Sequence, residues 1–224
     1  MLNWSKISTV LLDMDGTILD LHFDNHFWLE YFPARYSEKY GISIEEAKQK
    51  LHGHYEQLTG TIEWYCLDYW SEFTQMPIPQ IKREIEHLIQ LREDADEFLT
   101  ALKQSGREVI LVTNAHPDAL SLKIERTQLD KYFDVLYSTH EFGVVKESQL
   151  LWKKLQEKQG FDVNKTLFVD DSLPVLKSAK KYGIQHILAV ENPDSKKPAN
   201  SFADFASISD YRQLTKDIID NPIS

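Results

Sequence analysis

Thr9-Val10-Leu11-Leu12-Asp13-Met14-Asp15-Gly16-Thr17 begins apolar and ends in an acidic pair and a glycine. A Val/Leu-rich run stopped in this way reads as a buried strand that gives way to a loop. Two carboxylates therefore stand at the strand's carboxyl end. Asp13 and Asp15 are two residues apart, the spacing that puts side chains on one face of extended chain. Two carboxylates about 4 Å apart repel by roughly 4 kcal/mol at an effective dielectric near 20. Such a pair needs a cation, a shared proton or solvent between its members, and a divalent metal is the simplest solution. A strand-end turn with acids that merely face water is the plain alternative for the pair taken alone.

Working outward, the chain turns polar-aromatic and helical from about residue 25 to residue 91, with few strand signals. Ser43 is an N-cap candidate with Glu46 at the capping-box position. Pro77 and Pro79 interrupt the pattern, and Ile81, Ile85, Leu88 and Ile89 recur at helical spacing. From Asp94 onward helices and strands alternate. Strands are expected at 108–113, 135–137, 166–170 and 187–190, with helices at 118–127 and from about 147 to 158, the latter stopped by Gly160. Another helix ends at Gly183, and the tail past Glu191 reads as loop until a final helix near Tyr211. Five strands separated by helices predict an α/β fold with a doubly wound parallel sheet.

In open α/β sheets ligands bind beyond the carboxyl ends of the strands. The polar residues there are Asp13 and Asp15, then Thr113 and Asn114, then Asp170, Asp171 and Ser172, with Lys146 in the loop after the third strand. They are expected to meet in one crevice.

Composition bounds the rest. The chain has 224 residues, 42% hydrophobic and 27% charged, which suits one globular domain with a large insertion. No apolar run approaches a membrane span, and Met1-Leu2-Asn3-Trp4-Ser5 lacks the features of a signal peptide, so a cytoplasmic protein is expected. The formal net charge of −10 argues against nucleic-acid or anionic-membrane partners. It would also oppose an anionic substrate at long range, so a phosphate ligand would need local cations. Cys66 is the single cysteine, which excludes an internal disulfide framework and a Cys-based zinc site; a small buried hydrophobe is the preferred reading. His22 and His26 have i,i+4 spacing, without the acid motif of a zinc pair.

Asp13-Met14-Asp15-Gly16-Thr17, Leu111-Val112-Thr113-Asn114, Lys146 and Phe168-Val169-Asp170-Asp171-Ser172 resemble, in order and spacing, the four motifs of haloacid dehalogenase-like (HAD) phosphohydrolases. Phe23-Asp24-Asn25, the run 64–72, Leu91-Arg92-Glu93-Asp94, Thr113-Asn114-Ala115-His116-Pro117 and Ser138-Thr139-His140 look, more closely, like the bacterial GMP/IMP nucleotidases of that superfamily. The resemblance implies a three-layer Rossmannoid core (1–20 and 92–224) with an inserted helical, C1-type cap (21–91). It implies Asp13 as nucleophile and Asp15 as general acid and base. It implies Mg²⁺ held by Asp13, the backbone carbonyl of Asp15, and Asp171 directly with Asp170 through water. Thr113, Asn114 and Lys146 would hold phosphate. His116 is a further candidate for phosphate or base, and His140 a weaker one. Asp24 and Asn25, in the hinge region, are candidates for substrate contact; Trp64, Tyr65, Tyr69 and Trp70 suit stacking on a purine, with Arg92 as a polar partner, or else form cap core. Glu147 departs from the proline that many members carry after the motif lysine.

The substrate expected from the resemblance is a small phosphomonoester, foremost a purine 5′-mononucleotide; whether the protein is a monomer or a homodimer is left open. A phosphatase or phosphomutase acting on sugar phosphates would need the same motifs. Asp15 and the Asp170-Asp171 pair speak against a dehalogenase. A catalytically silent phosphate-binding regulator is the rival of another class.

Overall fold

The computed structural model describes residues 2–223; Met1, the first residue of the stretch weighed above as a signal peptide, lies outside the described residues. Six parallel strands form one sheet: β1 (Thr9–Leu12), β2 (Glu108–Thr113), β3 (Val135–Ser138), β4 (Thr166–Asp170), β5 (His186–Val190) and β6 (Ala206–Ile208), in the order β3-β2-β1-β4-β5-β6. β1 lies at the centre. Leu12 is in register with Leu111 on one side and Val169 on the other, so the carboxyl ends of β1, β2 and β4 are level. The chain winds to one side of β1 and then to the other, which opens a crevice beside it.

Strand residues alternate between two cores. Val10, Leu12, Leu111 and Val169 face α7 (Ala95–Gln104), α8 (Pro117–Thr127) and α11 (Arg212–Asp220). Leu11, Ile110, Val112 and Phe168 face α9 (Gln149–Gln159) and α10 (Leu173–Tyr182). Burial on both faces explains why these strands read as continuous apolar runs.

Between β1 and β2 lies a helical insertion: α1 (His22–His26), a π-helical turn (Phe27–Tyr31), α2 (Phe32–Tyr40), α3 (Ile44–Leu58), α4 (Ile62–Tyr65), α5 (Leu67–Thr74) and α6 (Ile78–Glu84). Its stem is a pair of antiparallel contacts in which Asp20 N–H donates to Gln90 O and Arg92 N–H to Ile18 O, both at 3.0 Å. The Ser43 cap forms as expected, its hydroxyl accepting from Glu46 N–H at 3.1 Å.

Three details differ from the sequence reading. The tail past Glu191 is expected as loop, but three residues of weak pattern form β6 because β5 supplies the partner, Val190 pairing with Ile208. The helix expected from residue 147 begins at Gln149, because Ser148 caps it and the Glu147 side chain is engaged by Asn114 and Tyr65. Ile85 and Leu88 fall after α6, in and beside a 3-10 turn at Glu86–Leu88. Among the described residues no helix is long and apolar enough to cross a membrane.

Candidate active site

The turn after β1 is wound around Met14 O, which accepts from Ile18 N–H at 2.9 Å and Leu19 N–H at 2.8 Å. Gly16 makes it possible. Its φ is +85°, and a Cβ there would lie 2.7 Å from Asp171 Oδ2, so any other residue would be strained and would displace a carboxylate. Asp13 and Asp15 leave this turn beside the ends of β2 and β4.

Asp13, Asp170 and Asp171 each offer a carboxylate oxygen within 4.8 Å of the others. Lys146, brought in by the loop after β3, donates to Asp13 Oδ1 and to Asp170 Oδ2, the latter at 2.7 Å. Asp170 Oδ1 accepts from Ser172 N–H at 2.8 Å, so both Asp170 oxygens are engaged. Burial dominates the electrostatics. It pushes Asp13 up to about 6 against the pull of Lys146, with Asp170 adding to the rise. It holds Asp171 well above the usual carboxylate range, reinforced by Asp170 and Asp13. Burial alone would lower Lys146, but Asp13 and Asp170 outweigh it and hold the ammonium above its ordinary value.

Asp15 belongs to a second chain of charges. Lys123 Nζ donates to Asp15 Oδ1 at 2.6 Å and to Asp24 Oδ2 at 2.7 Å, and Lys82 Nζ donates to Asp24 Oδ1 at 2.9 Å. Burial raises Asp15 to about 6 against Lys123. Asp24 is also buried, but its two lysines prevail and hold it below the carboxylate range.

These groups line one cavity of about 320 Å³, whose wall carries five carboxylates, Asp13, Asp15, Asp24, Asp170 and Asp171, against three lysines, Lys82, Lys123 and Lys146. One divalent cation would cancel the deficit. The Asp13/Asp170/Asp171 set is all hard oxygen, which suits Mg²⁺.

Thr113 and Asn114 also line the cavity. Thr113 Oγ1 accepts from Ala115 N–H at 3.0 Å, which leaves its O–H to donate. The Asn114 side chain is tied into the loops, accepting from Lys146 N–H at 3.0 Å and donating to Glu147 Oε2 at 3.1 Å. His116 lines the cavity beside the N-terminus of α8, its Nδ1 accepting from Asp118 N–H at 3.3 Å. Asn25 lines the cavity and donates to Asp194 at 2.7 Å. Trp64, Tyr65 and Trp70 line it too, but Trp70 is fully buried and donates to Trp64 O, so it is core of the insertion. Tyr69 instead bonds His54 at 2.7 Å.

Arg92 is corrected. Its guanidinium grips Asp94 at 3.1 and 3.2 Å together with Asn192 and Ser209 carbonyls, and it is not part of the cavity wall. A buried arginine at the return of the insertion is taken by the nearest buried acid, two residues away.

Sequence reasoning missed Lys82, Lys123, Trp28 and Tyr55, all in the wall. A signal was present for the lysines. Lys82 stands four residues after Ile78 and Lys123 four after Ala119, each on the buried stripe of its helix where a solvated lysine has no place.

A family model of the haloacid dehalogenase-like hydrolases matches residues 7–183. The GMP/IMP nucleotidases YrfG of Escherichia coli and Shigella flexneri are each 45% identical to this chain over 211 residues, 94% of it and 95% of theirs. In fold, the chain is similar to a HAD phosphatase from Thermococcus onnurineus, with TM-score 0.80 and 22% identity over 97% of this chain and all of that one. It is also similar to the HAD-hydrolase YfnB of Bacillus subtilis bound to magnesium, with TM-score 0.67 and 17% identity over 95% of this chain and 98% of that one.

Proposed function

The chain belongs to the haloacid dehalogenase-like hydrolases, the family whose model spans most of it, and from that premise we propose a Mg²⁺-dependent phosphomonoesterase that converts purine 5′-mononucleotides, GMP and IMP foremost, to nucleoside and phosphate. The observation that carries the reading is a single cavity whose wall joins nucleophile-type carboxylates and Lys146 to the aromatic rings of Trp28, Tyr55, Trp64 and Tyr65. The nucleotidases that share nearly half its residues favour a purine over a sugar phosphate.

Residues 21–91 act in this reading as a cap that closes over residues 1–20 and 92–224. Asp13, Asp171 and the Asp15 carbonyl would hold the metal, with Asp170 through water. Bound there, Mg²⁺ supplies positive charge to phosphate oxygens and offsets the crowded carboxylates. Lys146 and the Thr113 hydroxyl, with Asn114 N–H, hold the phosphoryl group in line with Asp13. An Asp13 oxygen forms a bond to phosphorus as the bond to the ribose 5′-oxygen breaks, and Asp15 gives that oxygen its proton. Water then attacks the aspartyl-phosphate, Asp15 takes its proton, and phosphate leaves Asp13 free. The buried environment that raises Asp15 to about 6 suits a group that must gain and lose a proton near neutral pH. Trp64 and Tyr65 offer faces for the base, with Asp24, Asn25 and His116 along the path between ring and phosphate.

Phosphate release from GMP, IMP, AMP, pyrimidine monophosphates and sugar phosphates tests the reading. Purine mononucleotides should be preferred, with activity lost in EDTA and reduced by about 10⁴-fold or more in Asp13→Asn. Preference for a sugar phosphate would overturn the substrate, and turnover by Asp13→Asn the mechanism.

A further inference from the structure

A second set of donors meets where the insertion abuts the core. Cys66 stands between α4 and α5, its Sγ accepting from Tyr69 N–H at 3.5 Å. His116 precedes α8, and His140 lies in the 3-10 turn after β3. One donor atom from each lies within 4.8 Å of the other two. The two imidazoles meet edge to face with centroids 5.0 Å apart. His140 Nε2 is buried without a hydrogen-bond partner among the described residues, a bare nitrogen of the kind a metal would satisfy. Asp68 Oδ2 lies 3.5 Å from His116 Nε2; to offer that nitrogen to a metal, His116 takes the tautomer protonated at Nδ1 and gives up the 3.3 Å bond that Nδ1 accepts from Asp118 N–H.

We propose that Cys66, His116 and His140 form a Zn²⁺ site that ties the helical insertion to the core, with Asp68 or water in the fourth position. One thiolate and two imidazoles are a borderline-soft set that suits Zn²⁺ and offers Mg²⁺ nothing it prefers. Tetrahedral zinc needs such donors about 3.4 to 3.6 Å apart, so the three draw in by at most about 1.4 Å. The lone cysteine reads in sequence as excluding a Cys-based zinc site; positions 66, 116 and 140 have no spacing signal, and only the fold brings the two histidines to the thiol. The site shares no ligand with the carboxylate cluster; His116 also lines the substrate cavity, so the test reads metal binding and melting rather than turnover.

The test uses the reduced full-length protein with Mg²⁺ in excess. Co²⁺, added as a spectroscopic stand-in, should give a sulfur-to-metal charge-transfer absorption that saturates at one equivalent and is abolished by Zn²⁺. Cys66→Ser should remove the band. Cys66→Ser and His140→Gln should each weaken Zn²⁺ binding by more than about tenfold, the least that loss of even an outer partner costs, and Asp171→Asn should not. Zn²⁺ should raise the Tm of the parent protein and not of Cys66→Ser, since a ligand of the folded state stabilises it. Melting without Zn²⁺ shows that both variants fold. Absence of the band, parent-like Zn²⁺ affinity in both variants, or loss of affinity in Asp171→Asn instead would overturn the site.

Discussion

At the scale of single residues the cavity is a problem in charge. Asp13, Asp170 and Asp171 crowd together with Lys146 as their shared cation, and burial lifts Asp13 from 3.8 to about 6. Between those values the folded protein holds protons that the unfolded chain has released. Stability therefore falls as pH rises from about 4 to about 6, and above that the whole penalty, up to about 3 kcal/mol for Asp13, persists. Asp171 is part of the repulsion, so Asp171→Asn should stabilise the metal-free protein by about 1–3 kcal/mol near pH 7.5 and by much less near pH 4.5. With saturating Mg²⁺ the order should reverse, because the parent gains binding energy that the variant cannot. Urea unfolding in EDTA and in Mg²⁺ at the two pH values measures this; an Asn variant less stable than the parent in EDTA near pH 7.5 would refute it. The acids were legible in the sequence because parallel strands bring their carboxyl ends to one edge. Arg92 was not, because its buried partner Asp94 is a matter of packing that spacing does not encode.

At the scale of elements, α6 and α8 each turn a lysine onto an apolar stripe. Lys82 is 1% and Lys123 2% exposed. Lys82 Nζ also lies 4.2 Å from the centre of the Phe27 ring, where the ring's negative face adds to its stabilisation. The result is an alternating chain, Asp15–Lys123–Asp24–Lys82, that runs from the proposed general acid into the insertion. Lys123 is its positioning residue for Asp15. Lys123→Met keeps the bulk and removes the charge, and Asp24 retains Lys82, so the fold should survive. We expect kcat to fall by about 10- to 100-fold with KM within about threefold, and Lys123→Arg to restore part of it. Steady-state phosphate release decides; an unchanged kcat would make Lys123 structural only. Elements with strong patterns, such as the Val/Leu strands and the Ser43-capped α3, were legible, whereas β6 is a three-residue edge strand that exists because β5 is beside it. The charged chain was hidden for a similar reason, since helical periodicity marks a face and does not say what lies opposite.

At the scale of the whole molecule, the net charge of −10 repels a phosphate, and the lysines of the cavity work against that field over a short range. In the proposed reaction the insertion closes on the core around the substrate. Besides the stem, Lys123–Asp24 and Asn25–Asp194, they are joined by Tyr65 O–H, which donates to Glu147 Oε1 at 3.1 Å, while Glu147 Oε2 holds Asn114 beside Thr113, the proposed phosphate-binding threonine. Glu147 stands where many members of the family carry a proline, and it gives the loop a contact that proline cannot make. If this bond favours the closed arrangement, Tyr65→Phe removes one hydrogen bond worth about 1 kcal/mol and shifts the open–closed equilibrium by about fivefold. The Glu147–Asn114 bond is untouched, so the phosphate end of the cavity keeps its geometry. KM for GMP should rise by about fivefold at nearly constant kcat. Hydrolysis of p-nitrophenyl phosphate, too small to bridge the cavity from phosphate to aromatic wall, should change little. Steady-state kinetics on the two substrates separates the cases. An equal loss on both would place the Tyr65 bond in support of the catalytic loops, and a change on neither would mean that closure does not depend on it.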